Sequence, residues 1–433
     1  MYEAGGKIFG IFMGKVDERE PAQASNVIQF TLVGLIVFSL TLIGGSAFIG
    51  CKLTTRNQPT KVQAFITDPN DKTQSVHVGP WGALVTRDID LERPAEYLTE
   101  EVARPQPEIW TFKGMKSEAV KSLFAQNGLP AAQIAQAFAP GGFTETAAGT
   151  EIRPSEKFLL SLDAGTRGKL YVALAGTGVN LYLDYPYIFP GGMIETIYHD
   201  SRLNPDDLAV FQQLIYLNHG ANQLSDYQFL LTKIPTVERR VTLARSMSRQ
   251  SAVLAGLVIK PDTDVDKIAA YWGNVPYVRF TDIRPLLEAL KALPEGGNLS
   301  LFYLLPRFAR DRLYTFPLPP LPGDPVMDCN WTTLNFGNET PDNRFDDPNY
   351  AVPYIVKNYY RITAPSIYGD ILLLVNDKNE IKHSAVYLAD DLVFTKNGDN
   401  FRQPWMLMHI PDLLATYPAR PPLKAVYMRR KID

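Results

Sequence analysis

The longest apolar stretch of the chain runs from Val27 to Ile49 (VIQFTLVGLIVFSLTLIGGSAFI), carries no charge, and is interrupted only by Gln29 and a few Ser, Thr and Gly. A run of this length crosses a bilayer, whereas a helix in a soluble core is shorter and has a polar face. The pattern predicts a transmembrane helix over 27–50 behind a tail of residues 1–26. Lys7, Lys15 and Arg19 precede the span and Lys52, Arg56 and Lys61 follow it, so basic residues do not orient it. A short tail followed by a long globular segment is the plan of a signal anchor, which predicts a cytoplasmic tail and an exported remainder.

Beyond the span the periodicities shorten. Residues 51–150 read as an accessory segment, with a strand at Val62–Ile66 and turns at Gly79, Pro80 and Gly82. Two helical patterns from Ser117 to Phe138 are separated by Asn127-Gly128-Leu129-Pro130, glycine closing the first and proline opening the second. Residues 151–315 read as a mixed α/β domain. A hairpin is expected over Lys169–Leu183, turning at Gly176-Thr177-Gly178, with helices over Pro205–Leu217 and Ile283–Leu293. The proline-dense run 316–325 (FPLPPLPGDP) predicts an extended connector to a last domain, 326–433.

At 45% hydrophobic, 21% charged and a net charge of −3, the chain has no basic excess, which argues against a nucleic-acid partner even for the helix pair at 117–138. No cofactor or metal is expected. Gly176-x-Gly178 lacks the third glycine of a dinucleotide fingerprint. Asp262-Thr-Asp264-Val-Asp266 imitates a calcium loop, but Lys267 stands at the required glycine, so a helix start is the better reading. His199 and His219 have no second ligand at metal spacing. The two cysteines, Cys51 and Cys329, allow no disulfide framework. Cys51 closes Phe48-Ile49-Gly50-Cys51, which resembles a bacterial lipoprotein cleavage box with Phe in the usual place of Leu. Cleavage there would make Cys51 a lipid anchor, whereas the long tail with Asp17, Glu18 and Glu20 favours an uncleaved span.

The last domain carries the chemistry. Asp328 is a suitable cap for a helix beginning at Cys329, where unpaired N–H groups and the helix dipole would lower a thiol pKa. Tyr368-Gly369-Asp370 opens a buried strand ending in Val375, and Asn376-Asp377-Lys378-Asn379 is a hairpin turn. His383-Ser384-Ala385-Val386-Tyr387-Leu388 forms the partner strand. Asp390-Asp391 turns into Leu392–Thr395, followed by Lys396-Asn397-Gly398. His409, in a mostly apolar run, reads as packing.

A helix bearing Cys, then a sheet whose first exposed edge bears His, is the plan of a papain-like domain, and the order resembles the NlpC-like cysteine peptidases of bacterial cell-wall metabolism. The resemblance covers residues 326–433 alone, through Asp328-Cys329, Gly369-Asp370 and His383–Leu388. It departs at Asn330-Trp331, where the family has Ser-Gly. It implies a papain-like domain with a Cys helix packed on an antiparallel sheet, which with the N-terminal span and the mixed α/β middle domain read above makes an α+β chain. It implies Cys329 as nucleophile and His383 as base. For the third residue, counting points to Thr395, while Asn397 is preferred because its amide oxygen can accept the imidazole N–H. Asp328 and Trp331 are expected at the substrate or oxyanion site, with the Cys329 N–H as one oxyanion donor. The implied activity is amide cleavage in peptidoglycan stem peptides by a membrane-tethered, extracytoplasmic enzyme. A lipid or small-amide acyl hydrolase and a non-catalytic envelope binding protein stand as alternatives.

Overall fold

The computed structural model describes residues 74–431, apart from 176–177, 274–279, 319–320, 322 and 400. The expected span, the tail and the strand at Val62–Ile66 lie outside these residues. Among the described residues no helix is long and apolar enough to cross a membrane.

The described chain opens on a hairpin of β1 (Gln74–Gly79) and β2 (Gly82–Leu91). Gly82 closes the turn at φ +101°, a conformation that favours glycine. Strand β2 pairs antiparallel with β9 (Gln250–Ile259) from Ala83 to Leu91, and β10 (Gly297–Ser300) completes a sheet of order β1-β2-β9-β10. Residues on both sides of the expected division at 150 therefore share one sheet. Its core also continues past 315: Leu84, Leu257, Trp272 and Leu287 belong to the same buried cluster as Phe308, Trp331, Ile371 and Phe394. A second buried cluster is formed between Leu98 and Met247.

Around the second cluster β3 (Trp110–Lys113), β4 (Phe143–Thr146) and β5 (Gly149–Ile152) form a small sheet beside helices α1 (Ser117–Gln126) and α2 (Ala131–Ala137). Gly128, at φ +93°, separates the two helices as its sequence position predicts. The hairpin expected over Lys169–Leu183 is not formed. Its first half lies in helix α3 (Ala164–Leu174), which Asp163 starts by accepting the Gly165 and Thr166 N–H groups at 2.9 and 3.0 Å. Arg167, Leu170, Tyr171 and Leu174 are its buried residues, a helical spacing that a short window resembling strand alternation concealed. Another helix, Leu181–Asp184, follows. Helix α4 (Pro205–Leu214) starts at Pro205 as expected, with Asn204 as its cap, but stops short of Leu217, which lies in a strand. A third small sheet, β6 (Tyr187–Phe189), β8 (Ala221–Leu224) and β7 (Tyr216–Asn218), follows in that spatial order. Asp264 caps α5 (Val265–Trp272) by accepting the Lys267 N–H at 3.1 Å, and α6 (Phe280–Lys291) follows.

The last sheet has the order β11 (Tyr359–Ile362), β16 (Lys424–Arg430), β12 (Ile371–Val375), β13 (Ile381–Ala389), β14 (Leu392–Lys396) and β15 (Trp405–His409), all antiparallel. The whole is a mixed α+β fold with several antiparallel sheets. The expected turns lie between these strands, with Asn379 and Asp390 at φ +62° and +55°. Gly369-Asp370 is a structural joint. Gly369 has φ +94°, and the buried Asp370 carboxylate takes Arg429 of β16 at 2.7 Å through each oxygen and the Ser366 N–H at 2.9 Å. A buried carboxylate is tolerated only when paired in this way.

Candidate active site

Helix α7 (Cys329–Leu334) begins where expected. Asp328 Oδ1 accepts the Trp331 N–H at 2.7 Å, a cap worth about 1 kcal/mol. The helix lies across β13 and β14 and is pinned twice: Ser384 Oγ donates to Asn330 Oδ1 at 3.0 Å, and the Trp405 indole N–H donates to Thr332 Oγ1 at 3.0 Å. Trp331, expected at a substrate groove, is 1% exposed and packs against Phe308 with ring centroids 5.1 Å apart. It is a core residue, and Asp328 acts as the helix cap.

Strand pleating decides which groups meet, because consecutive side chains leave opposite faces. Ser384 pairs with Leu373, and Lys396 with Trp405; Leu373 and Trp405 belong to the same buried cluster as Trp331 and Leu334 of α7. His383 pairs with Leu374, and Thr395 with Met406; both apolar partners belong to a separate cluster with Ala385, Val393 and Leu413 of helix α8 (Ile410–Thr416). Helix α7 thus packs on the Ser384–Lys396 face, and the His383 side chain leaves the opposite one. The expectation of His383 on an exposed edge fails as well, since β13 is an interior strand and His383 is 0% exposed.

Both ring nitrogens of His383 are engaged. Nε2 lies 2.8 Å from Thr395 Oγ1, and Nδ1 lies 2.8 Å from the Tyr417 hydroxyl, with the Tyr417 ring stacked on the imidazole at 4.5 Å. Thr395 donates to Asn397 Oδ1 at 3.3 Å, so its oxygen is left to accept from Nε2–H, and Tyr417 donates to Nδ1. Asn397 then donates to Met408 Sδ at 3.2 Å. Thr395, the residue given by counting, orients the imidazole. Asn397 stands one bond behind it, because alternate strand residues share a face but only Thr395 lies within reach. Burial, and Lys396 beyond it, hold the imidazole neutral to about pH 3. No hydrogen bond joins Cys329 to His383 among the described residues.

Cys329 is itself buried, and its thiol is pushed up to about 11, first by desolvation and then by the Asp328 carboxylate, with Ser384 and Lys396 pulling the other way. At this helix start the thiol is therefore raised rather than lowered, because burial removes water and the Asp328 carboxylate stands beside it. Desolvation also raises Asp328 to about 6 and lowers Lys396 to about 8. Lys396 is 0% exposed, its Nζ donates to Gly398 O at 3.1 Å, and Asp399, Cys329 and Asp328 are its charge neighbours. A hollow of about 330 Å³ lined by Arg307, Arg312 and Glu339 includes neither Cys329 nor His383 in its lining.

Lys396 and Ser384 stand in the sequence beside the expected site residues without an assigned role, and Tyr417 is not among the candidates. Lys396 was legible as a lysine closing an apolar strand. Tyr417 had no local signal, since it arrives from 34 residues downstream. His409 is not mere packing: its Nδ1 lies 2.8 Å from Asp391 Oδ1, linking β15 to the β13–β14 turn. No family model, curated protein or solved structure matches the chain.

Proposed function

We propose that the chain is a membrane-tethered cysteine hydrolase of the cell envelope with a papain-like, NlpC-type C-terminal domain, cleaving an amide in peptidoglycan stem peptides by acyl transfer from Cys329. The observation that carries this reading is the placement of Cys329 at the capped start of a helix laid across the two strands that bear His383 and Thr395. The charge-free run Val27–Ile49 supports the tether and the extracytoplasmic location. In the reaction the thiolate adds to the amide carbonyl, the amine departs with a proton, and water hydrolyses the thioester. The Cys329 N–H would serve as one oxyanion donor at the helix start.

A specific observation favours a second reading, a non-catalytic envelope binding protein: the thiol is buried and both imidazole nitrogens are engaged away from it. The test incubates the full chain in detergent, beside its Cys329→Ala variant, with purified peptidoglycan and follows released peptides by mass spectrometry. Release by the unaltered chain alone supports the peptidase and identifies its bond. Absence of release from a folded protein whose thiol reacts with iodoacetamide turns the reading towards a lipid or small-amide substrate, and an inert thiol turns it towards binding.

A further inference from the structure

We propose that Lys396 is the acid–base partner of Cys329, exchanging the thiol proton during the acyl transfer proposed above, on which this inference rests. Lys396 is wholly enclosed in β14, a position that a long cationic side chain takes only with partners around it. The pleat that sends His383 to the α8 face sends Lys396 to the α7 face with Ser384. That face is fixed against α7 by the Ser384–Asn330 and Trp405–Thr332 hydrogen bonds. The charged and titratable groups around Lys396 are Asp328 and Cys329 from α7 and Asp399 from the loop after β14. Tyr417 approaches the same corner, with Cys329, Asp328 and Asp399 among its own charge neighbours. His383 feels Lys396 only as a charge behind the strand, and its nitrogens are occupied.

In the step assigned to this pair, the neutral amine of Lys396 takes the proton from Sγ as the sulfur bonds to the carbonyl carbon. The resulting ammonium returns that proton to the departing amine as the C–N bond breaks. Water then adds to the thioester, giving one proton to Nζ, which passes it back to sulfur as the C–S bond breaks. A buried lysine suits this task because desolvation brings its neutral form within reach at ordinary pH, as Lys396 at about 8 illustrates. His383 is neutral throughout that range and would give a rate without a rise near pH 8.

The test reads alkylation of Cys329 by iodoacetamide in the full chain, mapped by peptide mass spectrometry so that Cys51 is scored separately, from pH 5 to 11. The unaltered chain is expected to show a first rise near pH 8, where Lys396 loses its proton, and a second towards 11. Lys396→Met, close in shape, removes the first rise and slows alkylation at pH 8.5 by at least about tenfold, the effect of one pKa unit or more. Lys396→Arg keeps the cation but cannot release a proton, so it also removes the first rise and covers the case in which the methionine variant fails to fold. A first rise that persists in either folded variant, or is absent from the unaltered chain, overturns the proposal. Because alkylation needs no substrate, a lysine-dependent rise without peptide release upholds the pair while removing the peptidase reading.

Discussion

The face of the six-stranded sheet covered by α7 gathers Asp328, Cys329 and Lys396, with Asp399 beside them. The face under α8 holds His383 in a chain of neutral hydrogen bonds from Tyr417 through Thr395 to Asn397. His383 and Lys396 are both 0% exposed, so desolvation alone does not distinguish them. Pairing does. The Tyr417 hydroxyl donating to Nδ1 favours the uncharged imidazole, whereas on the α7 face each group's charge acts on its neighbours.

The two faces should respond to pH with opposite signs. His383, at about 3 in the fold and 6.5 when unfolded, binds a proton more readily in the unfolded chain, so stability rises with pH across that window. Acidification from 6.5 to 4 is expected to cost roughly 3 kcal/mol through this residue, read by urea unfolding at each pH. His383→Phe should flatten that dependence. At neutral pH the variant should lose about 2 kcal/mol, because Tyr417 is left without its acceptor and Thr395 without its donor.

Cutting the tie between α7 and the sheet comes next in size. Thr332→Val leaves the Trp405 indole N–H buried without its partner, for a loss of about 1–2 kcal/mol by the same measurement. Tyr417→Phe should cost about 1 kcal/mol and, by removing the donor to Nδ1, raise the pH at which His383 titrates, as followed by NMR. An effect of the opposite sign is expected at Asp328. Its carboxyl is raised to about 6 in the fold, so its contribution to stability falls as pH rises from about 4 to about 6, opposite to His383. Asp328→Asn should remove that fall while keeping the helix cap.

Much of the last domain was legible in the sequence. Strands β12 to β14 and the turns at Asn376–Asn379 and Asp390–Asp391 follow from short apolar runs and from residues that tolerate positive φ. The cap by Asp328 was legible for the same local reasons. What chain order cannot supply is which face of a strand a distant helix covers. His383 and Ser384 must point opposite ways, but only the packing of Trp331 and Leu334 reveals that α7 takes Ser384's side. The same lack of tertiary information placed Asn397 ahead of Thr395 and Trp331 in a groove. At α3 the misreading was one of period, and the buried Arg167, Leu170, Tyr171 and Leu174 show the helical spacing that a longer window recovers.

The separation of thiol and imidazole by the sheet is tested most directly by NMR of the His383 ring nitrogens in the full chain and in its Cys329→Ser variant. The account predicts one neutral tautomer protonated at Nε2, without titration between pH 5 and 8, and with the same nitrogen shifts in both proteins. A His383 ring that titrates in that range, and whose titration moves when the sulfur is replaced, would contradict it and return the proton of Cys329 to His383.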